Sequence, residues 1–321
     1  MKIRNIILIL STVALAVLPA CHKKDEETKT APYLDGTLTF DFPSYVLQGE
    51  DFHLIPSGAS NPSGGGVGYT WYCSWIAGRD TVKTETGTGD GSWEVSVPEA
   101  VGTYSVSVMA FAKDYSALSA SRSFTVVDPS VNGSLKGAGY QLDSAKFVDP
   151  RDGGIYYLAT AGGKVWMQNN LYYSNSGVSY EYSPAMDRIA GRLYTWNEAM
   201  EACPEGWHLP SDAEFAKLSM SAGEMMADVT LNDTKMWTFW PEVKISNKVK
   251  FSAAPFGYAV DQEGVQKYAG TNSYATFWTS DNDGDAGLYR YIYVSKDNIF
   301  SAFGDKESFR ASVRCVKDDE E

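Results

Sequence analysis

The chain has 321 residues, 44% hydrophobic and 13% aromatic, enough for two domains with their own cores at roughly 100–200 residues per domain. Its formal charge is −13 (27 basic against 40 acidic residues), and such a surface repels phosphate backbones, so nucleic acid is not expected as a partner. His22, His53 and His208 stand alone, without a cysteine or second histidine at ligand spacing, which argues against a zinc site.

The first 20 residues read as a targeting segment. Lys2 and Arg4 form a basic start, and residues 6–17 are apolar apart from Ser11 and Thr12, a run too short to span a bilayer. Leu18-Pro19-Ala20-Cys21 then resembles the lipobox of bacterial lipoproteins, with Pro19 departing from the commonest pattern. The resemblance implies cleavage before Cys21 and a membrane anchor of diacylglycerol and palmitate on that cysteine; the alternative is an ordinary secretory signal with a chance cysteine. Residues 21–32 show no apolar period and read as a flexible tether. Within them Lys24-Asp25-Glu26-Glu27 resembles the surface-export signal of Bacteroidota lipoproteins, which implies an outer-membrane lipoprotein facing outward.

Residues 33–128 read as all-β. Strand-like runs occur at 37–42, 68–75, 93–97, 103–108 and 123–127, with loops expected at Gly64-Gly65-Gly66 and Gly87-Thr88-Gly89-Asp90-Gly91. This spacing suggests a β-sandwich. Pro98-Glu99-Ala100-Val101-Gly102-Thr103-Tyr104 resembles the corner of immunoglobulin-like and polycystic-kidney-disease-type modules. Cys73, with no histidine nearby in sequence, reads as a small buried residue rather than a nucleophile.

Residues 129–136 break the pattern and read as a linker; residues 137–318 are mixed and rich in aromatics. Strands are expected at 154–159 and 164–167. Thr195-Trp196-Asn197-Glu198 has the form of a capping box, and Trp196, Ala199, Met200 and Cys203 then share a helix face that Pro204 and Gly206 end. Ser211-Asp212-Ala213-Glu214 is a second box, with Phe215 and Leu218 on the buried face. Cys203 and Cys315 are the two cysteines of this domain, and in an exported chain a bridge between them is expected, against two separate buried thiols.

The second domain resembles the Fibrobacter succinogenes major paralogous domain family. The resemblance rests on residues 165–171 (Val-Trp-Met-Gln-Asn-Asn-Leu), 191–196, 203–215, 251–258, 277–280 and 312–318 in that order. Phe215 stands where the family usually has Trp, and Phe256 where a small residue is common. The resemblance implies a C-type-lectin-like fold, in which a cysteine at the first helix pairs with one in the last strand. The whole is then a multidomain chain, an all-β Ig-like sandwich followed by an α+β lectin-like domain.

The family implies no activity, so function must come from particular residues. The lectin-like fold hosts calcium-dependent sugar sites, but their Glu-Pro-Asn, Gln-Pro-Asp and Trp-Asn-Asp motifs are missing from 137–318. Asp281, Asp283 and Asp285 are the nearest thing to a calcium loop, set against a plain solvated hairpin. Leu209-Pro210-Ser211-Asp212-Ala213-Glu214-Phe215 echoes formylglycine-generating enzymes, whose reactive cysteine pair is not matched here. His208 reads as packed and satisfied. Tyr172, Tyr173, Tyr180, Tyr182, Trp237, Trp240, Tyr268 and Tyr274 could stack on sugars or anchor a protein where exposed. The expectation is a non-enzymatic surface lipoprotein that binds a glycan or protein through its lectin-like domain. The alternatives are a structural subunit of a surface appendage or envelope complex, and an enzyme acting on glycans through a carboxylate pair.

Overall fold

A computed structural model describes residues 31–77, 80–89, 91–130, 133–139, 145–237 and 243–319; within 74–90 it describes backbone alone. The expectations for the leader, Cys21, most of the tether and Trp240 lie outside these residues. Among the described residues no helix is long and apolar enough to cross a membrane.

The alternation of Gly102–Phe111 sets the pattern of the N-terminal unit. Tyr104, Val106, Val108 and Ala110 are buried, while Thr103, Ser105, Ser107 and Met109 point the other way, as the two-residue period of a strand requires. The strands are β1 (Asp35–Thr39), β2 (Tyr45–Leu47), β3 (Asp51–Leu54), β4 (Ser57–Ser60), β5 (Gly68–Ala77), β6 (Asp80–Gly89), β7 (Trp93–Ser96), β8 (Gly102–Phe111) and β9 (Leu118–Val127). One sheet has the order β2-β9-β8-β5-β6, and β3–β7 and β1–β4 form two antiparallel pairs. A single apolar cluster running from Leu34 to Val126 unites them. Trp71 is its centre, edge-on to Phe40 at 5.2 Å, with its indole N–H donating to the Gly91 carbonyl at 2.8 Å. Cys73 is buried in the same cluster. The Tyr104 hydroxyl donates to the Ala100 carbonyl four residues back, at 2.7 Å, and fastens the corner where β8 begins. The expected glycine loop at 87–91 begins as strand, since β6 runs on to Gly89. Gly87, Thr88 and Gly89 instead pair with Trp71, Thr70 and Tyr69, because the ten-residue β5 offers ladder bonds that recruit them.

The C-terminal unit is a mosaic of small sheets and short helices. Its elements are β10 (Leu135–Lys136), β11 (Lys146–Val148), β12 (Ile155–Ala161), β13 (Lys164–Met167), β14 (Val178–Ser179), α1 (Asp187–Ala190), β15 (Arg192–Leu193), α2 (Trp196–Ala202), β16 (Trp207–His208), α3 (Asp212–Ala216) and α4 (Ala222–Met225). They continue with β17 (Thr230–Leu231), β18 (Thr234–Lys235), β19 (Tyr258–Gln262), β20 (Val265–Ala269), β21 (Tyr274–Asp283), β22 (Ala286–Tyr293), β23 (Ile299–Asp305), β24 (Phe309–Arg310) and β25 (Val316–Lys317). The main sheets run β11-β12-β13-β25-β16, β21-β22-β23 and β20-β19-β24. Both expected capping boxes form. Thr195 and Ser211 each accept from the N3 amide, while Glu198 and Glu214 reach back to the cap amide. Helices this short are marginal on their own and depend on such caps and on packing. On α2 the buried residues are Ala199 and Ala202; Met200, expected on that face, is 44% exposed because the stripe through Ala199 and Ala202 turns it towards solvent.

The segment expected as a linker, residues 129–136, is bonded at its described ends. The Asp128 amide donates to Ser134 Oγ and the Ser134 amide donates back to the Asp128 carbonyl, which ties Ser134 to the end of β9. Val127, the last residue of β9, is fully buried in the C-terminal core, with Tyr45 and Leu47 packed against the same cluster. The Tyr45 amide donates to Ser183 Oγ at 3.1 Å, and Asn232 Nδ2 donates to the Val126 carbonyl at 2.8 Å. The two units therefore share apolar and polar contacts on both sides of the junction.

Candidate functional site

The apolar stretches around residues 166, 215, 251 and 277 supply an aromatic nest: Trp166, Phe215, Phe251 and Phe277 pack with centroids 5.0–6.2 Å apart. Arg314 enters it at 1% exposure, its guanidinium 4.7 Å from the Phe251 ring centre. It donates to Asn170 Oδ1 and to the carbonyls of Met167, Gln168, Phe251 and Ser252. A buried cation must be surrounded by acceptors, and the guanidinium's fixed fork reaches several backbone segments at once. Asn170 in turn donates to the Ala190 carbonyl, Asn169 bridges Tyr157 and Ile155, and Gln168 donates to the Leu158 carbonyl. Gly191 closes the motif at φ 77°, and a Cβ there would lie 2.3 Å from that of Asn170, so only glycine fits. The polar motif residues 168–170 and 314 thus hold strands together.

Cys203, at the end of α2, and Cys315, just before β25, are bridged with Cα atoms 5.8 Å apart. The bond ties the helix to the terminal strand, as expected.

The acidic hairpin does not gather its carboxylates. Among the described residues no three His, Cys, Asp or Glu side chains come together as a metal cage, and Asp281, Asp283 and Asp285 are all exposed. Asp281 instead accepts from the Asp212 amide at 2.6 Å. The Lys306 ammonium donates to Asn282 Oδ1 and the Gly284 carbonyl and sits 4.2 Å from the Trp196 ring centre. A cation is already present where the loop offers oxygens, and it is a lysine.

His208 is half-buried, with Nδ1 2.5 Å from Asp318 Oδ1 and Nε2 3.2 Å from Glu214 Oε1. Both ring nitrogens are engaged, in line with a satisfied residue. Burial pushes the Glu214 carboxyl up, but the Ser211 amide and hydroxyl and His208 outweigh it and hold it below the usual range.

The aromatic residues divide sharply. Tyr180 and Trp237 are buried, Tyr172, Tyr173, Tyr268 and Tyr274 are half-buried, and Tyr182 is 58% exposed. One face of the β21-β22-β23 sheet, with Phe309 of β24, carries a further row, of which the sequence singled out Tyr274 alone. Tyr274 stacks on Tyr293 at 4.7 Å, Tyr291 on Phe300 at 5.2 Å, and Tyr289 on Phe309 at 4.7 Å. Their faces are turned on one another, and all six are half-buried.

Between the two units lies a cleft of about 730 Å³. One wall is the outward face of β8 and β9, where Thr103 pairs with Thr125 and Ser105 with Ser123. The other is formed by the β17–β18 hairpin (Asn232 to Lys235) and by Thr271 and Asn272. Tyr45 and Tyr180 also line it, and the Tyr180 hydroxyl is 2.6 Å from Thr271 Oγ1. Burial, with the Glu181 carboxylate nearby, pushes the Tyr45 phenol up to about 12 against a smaller opposing effect of Tyr180. Burial raises the Tyr180 phenol as well, so both are neutral at physiological pH. Sequence reading missed this site, although the alternating Ser and Thr of 103–107 and 121–125 carried its signal.

Residues 160–317 match the family model of the Fibrobacter succinogenes major domain. No curated protein matches the chain. The matched residues contain the Arg314 nest, the disulfide, the tyrosine row and the whole C-terminal wall of the cleft. Phe215 and Phe256, the two departures from the usual family pattern, are both buried in it.

Proposed function

We propose that the chain is an exported lipoprotein, anchored through Cys21 and facing outward, which binds a glycan or protein and performs no chemistry on it. In this reading the N-terminal unit is an Ig-like sandwich and the major domain is lectin-like. The Tyr104 corner and central Trp71 support the first assignment. The bridge from α2 to the terminal strand supports the second.

One observation carries the binding role. The polar motif residues of the matched region are engaged in its scaffold, whereas the aromatic and hydroxyl side chains of the cleft, Tyr45, Tyr180, Thr234 and Thr271 among them, line open space. Aromatic edges with hydroxyls suit ligands that are part apolar and part polar. The test is a glycan array together with capture of host and bacterial surface proteins by the full chain. Retention of a defined ligand supports the reading, and two empty screens would sink it. A stable stoichiometric complex with other envelope proteins alongside empty screens would replace it by the envelope-subunit role.

A further inference from the structure

We infer that the cleft between the two units is the binding site, and that its ligand is a short, uncharged saccharide. The inference deepens the binding role proposed above and rests on it.

Binding sites form preferentially at domain interfaces and typically measure about 300–1,000 Å³, a range that includes this cleft of about 730 Å³. Its chemistry points to one class of ligand. The N-terminal wall presents four hydroxyls in register, Thr103 with Thr125 and Ser105 with Ser123. The opposite wall adds Thr234, the Asn272 side chain and the Thr271 hydroxyl, which is already paired with that of Tyr180. Hydroxyls and amides both donate and accept, so together they match a ligand that does the same at every edge. Sugar hydroxyls have that property. Leu231, Met236 and Phe256 supply apolar lining for the C–H faces of a pyranose ring.

Charge excludes the main competitors. The charged side chains of the rim have partners already: Asp233 accepts from Lys136 at 2.8 Å, and Lys235 lies 3.5 Å from Asp228. No excess of positive charge is left for a phosphate, sulfate or carboxylate, and the chain as a whole carries −13. The walls are also held in place. The Tyr45–Ser183 and Asn232–Val126 hydrogen bonds and the burial of Val127 fix one unit against the other, so little ordering remains to oppose binding.

The test uses the full chain in detergent and titration calorimetry. The probes are short neutral gluco-, manno- and xylo-oligosaccharides beside sulfated and uronate-containing counterparts. At least one neutral probe should bind and the anionic ones should not. Thr125→Lys on one wall and Thr234→Lys on the other should each weaken binding about tenfold or more, and the shape-conserving Thr103→Val should weaken it about threefold, as loss of one ligand hydrogen bond implies. Ser121→Lys, one register further along the same face and outside the cleft, should leave affinity unchanged. A neutral saccharide whose affinity is unchanged in all three wall variants would overturn the cleft and leave the binding role standing. Binding of anionic probes or proteins alone would overturn the ligand class. A chain that binds nothing removes the inference together with the reading it rests on.

Discussion

Removing the Cys203–Cys315 bridge should destabilise the C-terminal unit far more than the N-terminal one. The bond closes a loop of 112 residues. In the chain-entropy description such a loop is worth about 4.8 kcal/mol of restricted freedom in the unfolded chain. Cys315 is also wholly buried, within an apolar cluster that includes Tyr194, Trp278 and Val313, so its loss removes packing as well. A domain of this size shifts by about 2–4 °C per kcal/mol, which makes the expected fall in Tm about 10–19 °C. Differential scanning calorimetry of the native protein, the reduced protein and the Cys203→Ala/Cys315→Ala double variant measures it, with peptide mapping to establish the bond. The reduced and double-variant forms should agree within a few degrees. A mapped, intact bridge whose removal leaves Tm unchanged would refute the reasoning, because the loop entropy cannot vanish while the bond exists.

Three further outcomes are expected. Arg314→Met leaves the carbonyls of Met167, Gln168, Phe251 and Ser252 without their buried donor, and should cost about 4 kcal/mol or more in urea unfolding, with Arg314→Lys only a partial rescue. Tyr104→Phe removes the corner bond to Ala100 and should cost about 1 kcal/mol, read as a shift in the midpoint of the N-terminal unit. Burial pushes the Asp149 carboxyl up, but its paired bonds from Arg151 prevail and hold it below the usual carboxylate range. A lowered carboxyl contributes stability above its unfolded pKa of about 4 and loses it as pH falls through the folded value. Asp149→Asn should therefore be less stable than the parent at pH 7, by about 1.5–3 kcal/mol, with the gap closing in acid. A gap independent of pH in thermal melts would contradict the assignment.

The readable parts of this sequence were those whose physics is local. Strand alternation in 102–111, the capping boxes at Thr195 and Ser211, and Lys164–Met167 follow from neighbours a few residues apart, and the structure has them. The Cys203–Cys315 pair followed from chemistry and compartment. Short strands such as Tyr45–Leu47, paired in parallel with β9, carry no alternation long enough to notice. Met200 departs from the expected face because the buried stripe of α2 is centred on Ala199 and Ala202, and at about 100° per residue Met200 is turned away from it. The roles of Arg314 and of the cleft depend on segments more than 100 residues apart, so no window along the chain contains them. The aspartates of 281–285 had the composition of a cation loop, but Lys306 reaches that loop from the next hairpin.

Strand β9 has one more consequence. Near its beginning, Ser116 binds the incoming chain through the carbonyls of Ala31 and Pro32; at its other end, Val127 is set in the core of the C-terminal unit. The ten residues of Leu118–Val127 span about 30 Å. In the role proposed above, a tension between the N-terminal end and a ligand on the C-terminal unit would run along this strand. Its hydrogen bonds to β8 and β2 would then be loaded together in shear, rather than opened one after another. In the tethered, ligand-holding role proposed above, the N-terminal unit would act as a strut with a grain, stiffest along β9.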